Sequence, residues 1–180
     1  EHALRLERLP GRAVILGGGV IGVEFASLWR DLGVDVVLVE ARPHLLPNED
    51  PDLVAVLERR LRARGVDLRL GAKAEGIVRD GDQVRLELPD GTVTADVALI
   101  AVGRRPVTGG LGLEEAGVAL TSTGHVSATR ELATTTAGVF AVGDLIAGPQ
   151  LAHRGYAHGI FLAEHLAHLS GGRPIRPRPP

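Results

Sequence analysis

The glycine-rich segment GGGVIG, residues 17–22, constrains the fold of this chain more than any other feature of its sequence. It supplies the pattern GxGxxG directly after the short apolar run 13–16 and before a stretch with helical spacing. In such a strand–turn–helix, Gly17 makes the tight turn, Gly19 leaves room for a pyrophosphate, and Gly22 lets helix and strand pack closely. The helix N-terminus adds free N–H groups and a positive dipole end. The residues predicted to surround a dinucleotide pyrophosphate are Gly17, Gly18, Gly19, Val20, Ile21 and Gly22.

Glu40 is the candidate for choosing between the two nicotinamide cofactors. It lies 18 residues after Gly22, at the end of a β-branched run, 34–39. A carboxylate there can accept both ribose hydroxyls of NAD and would repel the 2′-phosphate of NADP. A solvated loop acid is the alternative, and Arg42 could serve a phosphate instead. The agreement of turn, strand and acid favours a dinucleotide site over a glycine turn without a ligand, and NAD over NADP.

The first 70 residues alternate between strand and helix. The predicted elements are strands at 13–16, 34–39 and 66–70 and helices at 20–32 and 52–64. This order predicts right-handed crossovers and a parallel sheet. The residues expected to face inward are Val20, Phe25, Leu28, Trp29 and Leu32 in the first helix and Leu53, Val56, Leu57 and Leu61 in the second.

The segment 74–102 changes to short-strand spacing. Stretches 74–79, 83–88 and 92–94 are separated by the hairpin signals DGD and PDG, which predict an antiparallel meander. The apolar run 97–102 is expected to return to the parallel sheet. The predicted class is therefore α/β, with a Rossmann-like parallel sheet and an antiparallel β-meander crossover. We place the end of this unit near Pro106.

Residues 107–171 are expected to form a second unit. Its predicted elements are a short helix near 113–116, strands near 126 and at 139–142, and a helix at about 152–169. The segment TTAGVFAVGD ends an apolar run in Gly-Asp, which presents Asp144 at a sheet edge and suits hydroxyl recognition. An ordinary strand–turn is the alternative. The Pro/Arg-rich tail, 172–180, is predicted to be flexible.

Composition excludes several function classes. The net charge of −2 and the 3% aromatic content give no reason to expect nucleic acid or an anionic membrane surface. No apolar run approaches the roughly 18–20 residues of a membrane span. There is no cysteine, which excludes disulfides and thiolate chemistry within the chain, and no methionine, so we expect Glu1 not to begin the gene product. His158, His165 and His168 share a predicted helix without an HExxH pattern, so no metal site is expected.

Four motifs occur in the order of one known family. GGGVIGVEFA, VGRRP followed by LGLEEAGV, GVFAVGD and QLAHRGYAHG resemble the pyridine nucleotide–disulfide oxidoreductases over nearly the whole chain. The last motif is most similar to its dihydrolipoamide dehydrogenase branch. Mercuric reductases, soluble transhydrogenases and NADH oxidases resemble the chain less. Val107 replaces the usual Asn of the GRxPN segment.

The resemblance implies a role for several residues on the NAD side. The first unit would be the NAD domain, with Ala74, Ala101 and Gly103 lining the adenine and nicotinamide sides of its site. Glu24 would pair with a flavin-proximal lysine outside this chain. Without the resemblance, an acid expected in the first helical turn would simply complement the helix dipole.

The second unit would be the central region that completes a FAD domain. Asp144 would bind the FAD ribitol, and the backbone N–H of Ala152 would face the flavin ring. The reaction implied is oxidation of a dihydrolipoyl dithiol, with electrons passing through a disulfide and FAD to NAD.

The chain lacks a first glycine motif, a CxxxxC pair and the interface domain that supplies a catalytic His-Glu pair, so alone it is expected to be inactive. The expected partners are the missing FAD half and interface domain of a cytoplasmic parent. The resemblance implies that this parent is a homodimer and a component of a 2-oxoacid dehydrogenase complex. Neither nucleic acid nor a membrane is expected as a partner. The alternatives are an NAD(P)H-dependent flavoenzyme of another type or a stand-alone NAD-binding module. Asp144 and Ala152, which would face a flavin, argue against the stand-alone module.

Overall fold

The computed structural model describes residues 2–171 and divides into two compact units. The first unit is Glu1–Gly103 and the second is Arg104–Pro180. The tail 172–180, for which the sequence predicts flexibility, lies outside the described residues.

The first unit is an α/β fold with two sheets. Its strands are β1 (Arg12–Leu16), β2 (Asp35–Glu40), β3 (Asp67–Leu70), β4 (Gly76–Asp80), β5 (Gln83–Leu88), β6 (Gly91–Ala95) and β7 (Val97–Ile100), and its helices are α1 (Val20–Asp31) and α2 (Pro51–Ala63). Strands β3, β2, β1 and β7 pair in that order, all parallel, while β4, β5 and β6 form an antiparallel meander. The predicted parallel sheet and meander are both confirmed.

The parallel sheet is buried on both faces, which explains its continuous apolar strands. One face contributes Ala13, Ile15, Val36 and Leu38 to a core with α1 and α2. The other contributes Val14, Val37 and Val39 to a core with residues of the meander, such as Leu86 and Val93.

Helix α1 packs through small residues rather than through most of its large apolar ones. Its buried residues are Gly22, Val23, Ala26 and Trp29. Val20, Leu28 and Leu32, which were expected to face inward, are 56%, 48% and 51% exposed, so the predicted face is wrong at these positions. The reason is the close approach at Gly22, where an added Cβ would lie 1.9 Å from the carbonyl oxygen of Gly17. That approach sets the rotation of the helix.

Helix α2 begins at a defined cap. The Asp50 side chain accepts the N–H groups of Asp52 and Leu53, and Pro51 occupies the first turn, where its missing N–H costs nothing. Leu61 is buried as predicted, and Leu57 packs partly buried against the core. Leu53 and Val56 are 70% and 47% exposed, contrary to expectation, because Val54 takes the inward position.

The second unit has one long helix, α3 (Ala152–Leu169), which confirms the predicted helix. Its core consists of Val118, Val126, Leu132, Ala141, Ile146 and Phe161. The helix predicted near 113–116 is wrong, since the chain makes a single turn there that ends at Gly117, with φ +74°.

The two strands predicted in the second unit are also wrong. They are reduced to isolated bridges, Leu120 with Val126 and Ala133 with Phe140. Side chains take the place of a strand ladder here: the N–H of Ala119 donates to Thr135 Oγ1 at 2.8 Å. Among residues 2–171, no helix is both long and apolar enough to cross a membrane.

Candidate functional site

The glycine turn lies at the carboxyl ends of β1, β2 and β7. Gly17 has φ +111° and donates its N–H to the Val39 carbonyl at 2.8 Å. An added Cβ at Gly17 would lie 2.4 Å from the carbonyl oxygen of Ala101. Together with the contact between Gly22 and Gly17, this shows that two glycines of the motif are required by backbone packing alone.

Gly19 differs from the other two, because a Cβ added there would meet nothing within 4 Å. Its φ of −74° is also accessible to any residue, so neither packing nor conformation demands glycine. Gly19 is the N-cap of α1 and makes no side-chain cap, so the N–H groups of Val20, Ile21 and Gly22 have no acceptor within the helix. Open space beside free donors at a helix N-terminus fits a pyrophosphate.

Glu40 closes the other side of the turn. It is half-buried at the end of β2, where Oε2 accepts the N–H of Gly18 at 2.6 Å and Oε1 accepts the N–H of Arg42 at 2.8 Å. Each carboxylate oxygen retains a further lone pair, so the group can still accept a ribose diol. The solvated-acid alternative for Glu40 does not describe this geometry.

The loop 43–51, which the sequence predicts as a loop without a role in the site, supports the turn. The N–H of Leu46 donates to the carbonyl of Gly18 at 2.9 Å, and Leu45 is fully buried. The backbone N–H of Leu45 is in turn held by Glu58 of α2 at 2.9 Å. The available signal was the pair of leucines between two prolines, which is too apolar for a solvated loop.

The remaining predicted NAD residues lie at the ends of two strands. Ala101 follows β7, and its N–H donates to the Leu16 carbonyl at 2.8 Å, which brings it against the turn. Ala74 follows β3 and packs half-buried against the core between the sheets. Gly103, with φ +130°, is the exposed last residue of the first unit.

Glu24 lies one turn inside α1, so its predicted place in the first turn is wrong. The helix begins at Val20, and its first turn contains no acidic residue. Glu24 is exposed and, within residues 2–171, makes no hydrogen bond or ion pair. It lines an open groove of 380 Å³, whose other walls include Val20, Leu46 and Leu53. Because the dipole effect fades beyond the first turn, the helix-dipole explanation for this acid is weakened.

In the second unit, Asp144 and Ala152 are both exposed. Asp144 is the middle residue of the 3-10 turn Gly143–Leu145, not the end of a strand. Ala152 is the first residue of α3, whose N-cap, Leu151, makes no side-chain cap. The N–H of Arg154 donates to the Leu151 carbonyl at 3.0 Å, so the donors available to an electron-rich ligand atom are those of Ala152 and His153.

Two residues for which the sequence predicted no role in a cofactor site hold this segment. His158 is 2% exposed, and its Nδ1 accepts the N–H of Gly143 at 3.0 Å. The Arg154 guanidinium donates to the carbonyls of Ala147 and Pro149 at 2.8 and 3.1 Å. Three of the four histidines of α3 thus differ in their surroundings: His158 supports the turn, His165 stacks on Phe161, and His168 is exposed. No group of three or more metal-ligating side chains occurs within residues 2–171.

Among residues 2–171, two carboxyl groups have displaced pKa values, and neither belongs to the glycine turn. The backbone hydrogen bond from Arg12 lowers the pKa of Asp96, at the opposite end of β1. The pKa of Glu131, in the second unit, is lowered by its own backbone N–H and by the Thr129 hydroxyl.

A parallel sheet with a glycine turn at its carboxyl edge defines the first unit as a Rossmann-like fold. The family model "Pyridine nucleotide-disulphide oxidoreductase" matches residues 1–159, and the chain belongs to this family.

Similar proteins include the dihydrolipoyl dehydrogenase of Thermus scotoductus, 39% identical over 92% of this chain and 38% of its own length. That of Bacillus subtilis is 36% identical over 92% and 36%. The chain therefore spans less than two fifths of these relatives.

Solved structures show the same fold. The HOCl-induced flavoprotein disulfide reductase of Escherichia coli superposes with a TM-score of 0.88 at 36% identity, over 97% of this chain and 39% of that one. The water-forming NADH oxidase of Lactobacillus brevis, bound to NADH, gives 0.76 at 25% identity, over 83% and 35%.

Proposed function

We propose that this chain is the NAD(H)-binding portion of a FAD-dependent oxidoreductase that oxidises a dihydrolipoyl dithiol. The observation that carries the NAD assignment is the turn itself: an open Gly19 and free helix donors on one side, and the Glu40 carboxylate on the other. Relatives named dihydrolipoyl dehydrogenase support the choice of reaction.

The first unit supplies binding and orientation. The N–H groups of Val20, Ile21 and Gly22 would hold the pyrophosphate, and the Glu40 carboxylate would hold the adenosine ribose. Ala101 and Gly103, at the end of β7, would flank the nicotinamide, and Ala74 would lie on the adenine side. The bound nicotinamide supplies hydride transfer, while the protein contributes position and electrostatics.

The second unit would complete the FAD site. Its residues fit that group, because Asp144 offers an exposed carboxylate to ribitol hydroxyls and Ala152 offers an N–H at the start of an 18-residue helix. His158 and Arg154 would keep both groups in place. The FAD half, the redox disulfide and the dimer interface would come from the rest of the parent protein.

A second candidate is a flavoenzyme of this family with another electron partner. The similar structures named a flavoprotein disulfide reductase and a water-forming NADH oxidase favour it. The two candidates share the NAD site described above, and the redox disulfide that would separate them lies outside this chain.

The NAD assignment is tested by titrating NADH and NADPH into the 180-residue chain and into Glu40→Ala. We expect the wild-type chain to prefer NADH and the variant to lose much of that preference. One charge-assisted contact is worth about 1.5–3 kcal/mol, or roughly tenfold to a hundredfold in affinity. Asp90→Asn, on the β5–β6 hairpin, removes the same charge away from the turn and should leave the preference unchanged. If Glu40→Ala preferred NADH over NADPH as strongly as wild type does, the selectivity would be due to another group, such as Arg42.

The reaction is tested on the parent protein. NAD reduction by dihydrolipoamide is the expected activity, and the isolated chain should show none. NADH oxidation by oxygen without dithiol turnover would favour the second candidate.

A further inference from the structure

We infer that Glu40 is also a positioning residue, which holds the glycine turn in its binding shape before any cofactor arrives. This inference rests on the proposed NAD site but concerns a different contact, the one between the carboxylate and the backbone of Gly18. It separates two roles that a single substitution would otherwise confuse, namely recognition of the ribose and shaping of the pyrophosphate turn.

Gly18 is buried and is held from two sides. Its N–H donates to Glu40 Oε2 at 2.6 Å, and its carbonyl accepts the N–H of Leu46 at 2.9 Å. The side chains of Leu45 and Glu40 also pack so closely that a Cβ added at Gly18 would lie 2.5 Å from Leu45 and 3.0 Å from Glu40. A buried N–H that loses its acceptor is penalised, so the Gly18 conformation depends on the carboxylate.

The other carboxylate oxygen ties down the chain after β2. Oε1 accepts the N–H of Arg42 at 2.8 Å, so one side chain bridges the β1–α1 turn and the segment that leaves β2. Gly18 immediately precedes Gly19, the open position beside the helix donors. Its own N–H is directed at Glu40 and is therefore not offered to a pyrophosphate. The phosphate donors are then the N–H groups from Gly19 onward, and Gly18 contributes shape rather than contact.

The consequence is that exchanging Glu40 to alter cofactor choice also disturbs pyrophosphate binding. Such a variant should bind NADH and NADPH more weakly, besides losing its preference between them. A residue that acted only on the ribose would leave the turn of the free protein unchanged.

The test compares wild type, Glu40→Ala and Glu40→Gln in the 180-residue chain without cofactor. Amide hydrogen exchange, followed by NMR, is measured at Gly18 and Arg42, with Val14 in β1 as an internal reference. We expect exchange at Gly18 to rise about tenfold or more in Glu40→Ala, since a hydrogen bond to a charged group is lost. Glu40→Gln keeps one carbonyl acceptor and should give a smaller rise, which also guards against a general folding defect of the alanine variant. Asp90→Asn should match wild type.

A second measurement uses a dinucleotide that cannot form the ribose contact with Glu40. NAD whose adenosine ribose lacks both hydroxyls cannot use the ribose contact, yet Glu40→Ala should still weaken its binding by about fivefold or more. Unchanged exchange at Gly18 in both variants, or no penalty on the dideoxy dinucleotide, would overturn the inference and leave Glu40 as a ribose ligand. Failure of the wild-type chain to bind NADH would refute the proposed function instead. The exchange rates at Gly18 would still show whether the Glu40 carboxylate holds the turn.

Discussion

Alanine substitutions at Gly19 and Gly22 should have opposite consequences, although the two positions are three residues apart in one motif. A Cβ at Gly22 would lie 1.9 Å from the Gly17 carbonyl oxygen, whereas one at Gly19 would meet nothing within 4 Å. We expect Gly22→Ala to damage the fold and Gly19→Ala to damage cofactor binding alone.

The magnitudes follow from competing effects at each site. Inside a helix, Gly→Ala would ordinarily stabilise by about 1 kcal/mol. At Gly22 the methyl group must push α1 away from the turn, and overpacking of this kind costs about 1–3 kcal/mol or more. Because the obstructing atom is backbone, we expect a net loss of at least about 1 kcal/mol. At Gly19 a weaker N-cap costs about 0.5–1 kcal/mol, and the stiffer unfolded chain returns about 0.4–1 kcal/mol. The net change should be near zero.

Urea denaturation followed by circular dichroism measures the stabilities, and calorimetric titration with NADH measures the binding. Gly19→Ala should unfold at the wild-type urea concentration but bind NADH about tenfold more weakly or worse, because its methyl group occupies the space beside the helix donors. Wild-type affinity in Gly19→Ala would show that the pyrophosphate does not approach there. Wild-type stability in Gly22→Ala would refute the close contact between helix and turn.

Three further predictions concern charged side chains. Glu24→Gln should change the unfolding free energy of the chain by less than about 0.3 kcal/mol, since the acid lies beyond the first turn. In the parent protein the same substitution should slow flavin reduction by NADH. Wild-type rates in stopped-flow measurements on the parent variant would show that Glu24 has no part in hydride transfer. The pKa of Asp96 is lowered from its ordinary 3.8, chiefly by the Arg12 N–H. The charged Asp96 carboxylate therefore stabilises the fold fully above pH 3.8, and this stabilisation is lost as the pH falls below that value. Between about pH 5 and 3, the urea midpoint of Asp96→Asn should accordingly fall less than that of the wild-type chain. Arg154→Met should destabilise the second unit by about 1 kcal/mol, because the hydrogen bonds from the guanidinium to backbone carbonyls are lost. Unaltered amide exchange at Ile146 and Ala147 would contradict the view that Arg154 holds this segment.

The glycine turn and the alternation around it were predictable because both depend on local rules. Strand composition, helix spacing and the GxGxxG pattern place β1, α1 and β2 to within one or two residues. Helix α3, at Ala152–Leu169, also lies where the sequence predicts a helix.

The inward face of α1 was not predictable from its apolar residues. Large side chains suggested one face, but the shortest approach between helix and sheet is made by Gly22 and sets another. A glycine leaves no trace in an apolar pattern, so Val20 and Leu28 were assigned to the wrong side.

Contacts between distant segments account for the other differences. The Leu46 N–H reaches the Gly18 carbonyl, and His158 accepts a backbone N–H 15 residues earlier. In the second unit, Thr135 bonds to the backbone where strands were expected. Each pairing depends on the folded path of the chain, which spacing alone does not specify.

The central claim is that the turn at residues 17–22 binds NAD(H), and an amide chemical-shift titration of the chain with NADH tests it most directly. The account predicts the largest shifts at Gly19, Val20 and Ile21, with smaller ones at Glu40 and Ala101, and much weaker shifts with NADPH. Shifts centred elsewhere, or none at these amides at saturating NADH, would contradict it.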